Sequence, residues 1–264
     1  MNNFQFDRFK KVVSHDFQST YNLYGMSMVI IMLMPLAIWL FALVTGIDSI
    51  PSEFRLGFIN FLTLLTAAIA GFKIYGSCNL SGRGNYFALL PASLGEKFFS
   101  MMIYCFIVSP LAVFIGSCAI DTLLTLLPFG SFDEYIWNES SLKAMIREEA
   151  FGFNQIQNTV LMILKVFGVA SLFMFTNTIF KKNKFIKTVL WLMLISFVFS
   201  LILMPIVGNL DWNGKWVEYW LEKFENADQT LLENIIFWSQ TVINLLFTAL
   251  FSFLTWRRLK KMQY

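Results

Sequence analysis

Acids, bases, nucleophiles and metal ligands are sparse in this sequence. Its single histidine, His15, excludes a multi-histidine metal site and the usual histidine-based triads. Cys78, Cys105 and Cys118 are scattered, with neither the spacing of a zinc site nor that of a disulfide framework, so free, buried thiols are expected. There is no HExxH, paired-cysteine or Gly-x-Ser-x-Gly motif, and no GxxxxGK[ST] loop to cradle phosphates. Hence no enzymatic activity, metal or cofactor is expected of the chain itself. Two ionisable residues stand out because they fall inside long apolar runs: Asp121 and Lys165. Charges at membrane depth are costly and mark function or packing. Either the two meet as an ion pair, or Lys165 snorkels to the outer surface and Asp121 is already wet.

The clearest local signal is Ser93-Leu-Gly-Glu96, a capping box just before an apolar run. The Ser93 hydroxyl is expected to accept from the Glu96 amide while the Glu96 carboxylate accepts from the Ser93 amide. Pro91 stops any helix that precedes it. Upstream lie a glycine-rich turn at 80–85 and a short apolar patch of Tyr86, Phe87, Leu89 and Leu90. Such a patch beside a membrane meets either headgroups or a partner protein.

The elements that must position these residues are membrane helices. Hydrophobic residues make up 57% of the 264, and only 14% are charged, so the charges sit between apolar blocks rather than within them. A hydrocarbon core of ~30 Å needs about 20 apolar residues per helix. Six runs qualify: 26–47, 56–75, 98–124, 158–180, 186–207 and 235–256. Backbone groups in lipid must bond within their own segment, and no run has the alternation of a barrel strand, so an all-α membrane protein follows. Pro110 is expected to kink or break the third span, which leaves its continuity open. Lys73, near the inner end of the second span, is expected to snorkel. Asn60, Thr63, Thr66, Asn177, Gln240 and Asn244 line a cavity or bond between helices, and Ala67 with Gly71 offers a close-packing face.

Lysine and arginine set the orientation. Thirteen of them lie in one set of connections: the N-terminal segment, the second-to-third loop, the loop around Lys181–Lys187 and the C-terminal tail. Only five (Arg55, Lys143, Arg147, Lys215 and Lys223) lie in the opposite set. Both termini are therefore expected in the cytoplasm, in a multi-pass plasma membrane protein. The polar first ~25 residues do not look like a cleavable signal and are expected to be retained. Residues 1–25 instead carry Phe4, Phe6, Phe9, Val12, Val13, Phe17 and Tyr21 at helical steps, which reads as an amphipathic interfacial helix. On the outer side, 140–150 and 215–226 are expected to form short helices, the latter with Trp216 and Trp220 on its apolar face.

The segment Tyr86-Phe-Ala-Leu-Leu-Pro91-Ala-Ser93-Leu-Gly-Glu96-Lys97-Phe98 resembles an "LLPxSxxEK" element in membrane subunits of ATP-binding-cassette transporters of the type-2 exporter family. Leu89, Leu90, Pro91, Ser93, Glu96 and Lys97 are the matching positions. The basic loop at 181–188 is similar to fourth-to-fifth loops of bacterial members. This resemblance implies a cytoplasmic coupling element, Tyr86 to Lys97, that docks on a separate ATPase subunit. It also implies a permease subunit that pairs with itself or a similar chain, surrounded by lipid and binding no nucleic acid. A hydrophobic or amphipathic solute is the expected cargo. The other function open to these helices is a non-transport role, such as a sensor accessory or an assembly factor, with no ATPase partner.

Overall fold

The computed structural model describes residues 4–76, 78, 91–127, 132, 134–137, 155–209 and 229–262. The expected helices at 140–150 and 215–226, and Tyr86, Phe87, Leu89 and Leu90, lie outside the described residues. Among those described there is no strand. The chain folds as α1 (Phe6–Met32), α2 (Met34–Thr45), α3 (Ser52–Ile74), α4 (Leu94–Met102), a π-helical turn (Ile103–Val108), α5 (Ser109–Thr125), α6 (Gln155–Ile179), α7 (Lys184–Asn209) and α8 (Gln229–Met262).

Six stretches are long and apolar enough to cross a membrane: Tyr24–Thr45, Ser52–Ile74, Leu94–Thr125, Thr159–Ile179, Lys184–Leu201 and Asn234–Lys261. These are the six runs expected from hydropathy, shifted by a few residues. The second begins earlier than expected, because Pro51 (φ −55°) presets the entry to α3 and draws Arg55 into its first turns.

The N-terminal segment is not a separate helix lying beside the first span. It runs straight into that span, and the break comes at Leu33, two residues before Pro35. Pro35 has no N–H to continue the ladder and its ring crowds the preceding turn. Much of the apolar stripe of α1 is left uncovered by the bundle, the side an interfacial helix turns to lipid. Val12, Asp16, Tyr24, Met28 and Ile31 face the bundle, whereas Phe6, Phe17 and Tyr21 stay exposed.

The third span is continuous through Pro110. The expected kink is absorbed by the π-helical turn at Ile103–Val108, one turn before the proline. Widening the helix there removes the need for a donor at position 110 and the clash its ring would cause.

The core lies where α1, α3, the third span and α6 meet, around Tyr24, Leu62, Ala70, Met101, Val113 and Met174. A Cβ on Gly71 would sit 3.4 Å from the Met174 side chain, so the small face of α3 lets α6 approach closely. Half of the second, third and fourth spans is buried, against 6% of the fifth and 11% of the sixth. A Cβ on Gly95 would lie 3.8 Å from both the Phe4 and the Trp256 side chains, which places the start of α1, the start of α4 and the end of α8 together. We call this the terminal end of the bundle.

Candidate functional site

At the terminal end the capping box forms as expected. Ser93 is extended (φ −68°, ψ 157°), and its hydroxyl accepts from the Glu96 N–H at 3.3 Å. Glu96 Oε2 accepts from the Ser93 N–H at 2.8 Å. The second oxygen does what the local pattern does not reveal. Glu96 Oε1 accepts from the Gln5 N–H at 2.7 Å and from Arg8 Nη2 at 3.1 Å. One carboxylate thus caps α4 and clasps it to the beginning of α1. Glu96 is fully buried and Lys97 is 2% exposed, so neither charge is presented at the surface. Pro91 is exposed and Ser93 half-buried. Arg8 was legible in the sequence only as one of many basic residues; a capping-box glutamate with an oxygen to spare is the signal that a cation must complete it.

Two further polar clusters knit the same end. Asp16 Oδ2 accepts from Tyr75 Oη at 2.9 Å and from Ser100 Oγ at 2.6 Å, and Tyr104 Oη donates to the Val13 carbonyl at 2.8 Å. This explains why α1 turns Asp16 inward: a buried carboxylate needs such donors. On the other flank, Asn177 Nδ2 donates to the carbonyls of Gly71 (3.0 Å) and Tyr75 (3.1 Å). Lys184 Nζ then donates to Gly76 O at 2.7 Å and to Asn177 Oδ1 at 2.8 Å. The ammonium sits on the last carbonyls of α3 and α6, where helix dipoles favour a cation. Of the in-span polar residues, Asn177 bonds between helices, whereas Thr63, Thr66 and Asn244 bond to carbonyls of their own helices. Cys78, next to the Lys184 cluster, is pushed up to about 11 by burial, although the ammonium lowers it. All three cysteines are free thiols.

The opposite end is held differently. Asp121 does not pair with Lys165; its partner is Arg55, whose Nη1 lies 2.8 Å from Asp121 Oδ2. Arg55 is 2% exposed. It also donates from Nη1 to Thr125 Oγ1 (3.2 Å) and from Nη2 to the Glu134 carbonyl, and its guanidinium lies 4.2 Å from the centroid of Phe132. Trp137 Nε1 donates to Thr122 Oγ1 at 3.2 Å, so Phe132 and residues 134–137 form a strap across the ends of α3 and α5. Lys165 is exposed on α6. The sequence places Arg55 in a loop; the extra turn of α3 takes it beneath the strap.

A cavity of about 350 Å³ opens between α3, the third span and α6, lined by Phe106, Ile107, Leu111, Met162 and Phe167 among others. Its lining is apolar apart from Thr63 and Thr159. Among the described residues no group of three or more His, Cys, Asp or Glu is placed to hold a metal.

Six apolar helices around a tightly bonded core, with the Arg8–Glu96 and Arg55–Asp121 pairs near helix ends, define a multi-pass α-helical membrane protein. Comparison with family models, curated proteins and solved structures finds no match to this chain.

Proposed function

We propose that the chain is the permease subunit of an ATP-driven exporter in a bacterial cytoplasmic membrane, with the terminal end inside. A separate ATP-binding-cassette ATPase subunit docks on the segment 86–93, and a second permease subunit, identical or similar, completes the pathway. The carrying observation is the formed capping box directly after the apolar patch, with its glutamate clasped to α1. A push delivered at 86–93 reaches α4 through Ser93 and reaches α1, hence the first span, through Arg8 and Gln5. The apolar lining of the cavity beside the third span supports a hydrophobic or amphipathic cargo.

Co-purification with an ATPase encoded beside this gene tests the docking. Leu89→Asp adds a charge to the patch and is expected to release the ATPase while the permease stays folded. Unchanged co-purification contradicts the docking. Glu96 is unsuitable as a probe, because its carboxylate is internal and its loss acts on the clasp rather than on the docking surface.

A further inference from the structure

A slot runs between α1 and the third span, with a volume of about 530 Å³. Phe17, Tyr21, Gly25, Met28 and Met32 line it on α1, at steps of three or four residues that keep one face. Tyr104, Val108 and Ala112 line it opposite, at four-residue steps through the π-helical turn. The two helices touch below and above the slot. Below, Tyr104 Oη bonds the Val13 carbonyl and Asp16 bonds Ser100. Above, Met32 packs on Gly116, where a Cβ would lie 2.7 Å from the Met32 sulfur. Between these closures the helices part, and Gly25 leaves the α1 wall without a side chain at its middle.

Depth and charge identify the occupant. The slot lies alongside two membrane-spanning stretches, Tyr24–Thr45 and Leu94–Thr125, where hydrocarbon is the surrounding medium. From Tyr21 to Met32 it extends ~16 Å at ~1.5 Å per residue, about half of a ~30 Å hydrocarbon core. That is the reach of one acyl chain in one leaflet. Continuing down the same face of α1, Lys10 and Lys11 lie ~10 Å below Phe17, the lowest lining residue; both are exposed, as are Gln18 and Asn22 above them. Asp7 follows one turn further, so the face keeps a net positive charge.

We propose that this slot holds one acyl chain of an anionic glycerophospholipid, with its phosphate against Lys10 and Lys11. The lipid occupies the leaflet at the terminal end and wedges α1 from the third span at the π-helical turn. The proposal needs only the six-span fold and does not depend on transport or on an ATPase.

The test uses the full chain in vesicles containing phosphatidylglycerol with a diazirine in its acyl chain, and parallel vesicles with phosphatidylcholine carrying the same label. After illumination, adducts are mapped by mass spectrometry. Adducts on Met28, Met32, Val108 and Ala112 are expected to exceed those on the exposed face of α7 (Leu190, Leu194, Phe197) in phosphatidylglycerol. Lys10→Glu with Lys11→Glu touches no packed atom and is expected to lower slot adducts about fivefold per lysine. Ala112→Phe fills the slot and is expected to remove those adducts while α7 labelling persists. Slot adducts no higher than those on α7 would overturn the proposal. So would equal slot labelling by the two lipids, or labelling unchanged by the lysine replacements.

Discussion

The two ends of the bundle are fastened by opposite strategies. At the terminal end, three separate clusters around Glu96, Asp16 and Lys184 tie the first five spans together through bonds of 2.6–3.3 Å. At the far end, among the described residues, the Arg55–Asp121 pair, the contacts of Phe132 and of residues 134–137, and a Gln157–Asn234 bond of 3.3 Å carry the attachment. Within that pair Asp121 Oδ1 and Arg55 Nε have no hydrogen-bond partner. Among the described residues the terminal end is therefore held by three buried polar clusters, whereas at the far end Arg55 is the hub.

The largest expected effect follows from the Arg55–Asp121 pair. Asp121→Ala leaves the Arg55 guanidinium buried without its anion, and removing one partner of a buried pair costs about 3–5 kcal/mol. Thermal unfolding in detergent is expected to show this loss, and Arg55→Met combined with Asp121→Leu to recover much of it. A double variant no better than Asp121→Ala would show that the strap, rather than the pair, holds the far end. The terminal end is expected to respond less. Glu96→Ala removes a helix cap worth about 1 kcal/mol together with the anchor of Arg8, yet Asp16 still holds α1 to α3 and α4. Limited proteolysis is expected to expose the first residues of α1 while the melting temperature shifts only modestly. A melting loss as large as that of Asp121→Ala would contradict this ordering.

The smallest effect concerns chemistry rather than stability. Burial raises the Cys78 thiol to about 11, so it stays neutral, and a poor nucleophile, at pH 8. Maleimide labelling of the detergent-solubilised protein is expected to be slow at Cys78 at pH 8 and to accelerate as pH approaches 11. Lys184→Met removes a charge that lowers the thiol and is expected to slow it further; faster labelling would show instead that the Lys184 cluster acts by covering the thiol.

Hydropathy and local chemistry made the spans and the capping box readable, because both depend on residues close in sequence. The Arg8–Glu96 and Arg55–Asp121 pairs join residues 88 and 66 positions apart. No periodicity gives the azimuth at which one helix faces another, so Asp121 was matched with Lys165 or left wet, and Arg55 was read as a loop residue. The inward turn of Asp16 was hidden for a related reason, since its donors Tyr75 and Ser100 lie 59 and 84 positions away. Pro110 by itself argues for a kink, but accommodation by a π-helical turn depends on packing along the whole third span.

Orientation is the claim on which docking, export and the lipid's leaflet all stand. Single cysteines placed at Lys182 and at Tyr135, both exposed, in a chain lacking its native cysteines, can be labelled in intact cells with a membrane-impermeant maleimide. We expect position 135 to label from outside and position 182 only after the membrane is opened. Labelling of position 182 in intact cells would contradict the account.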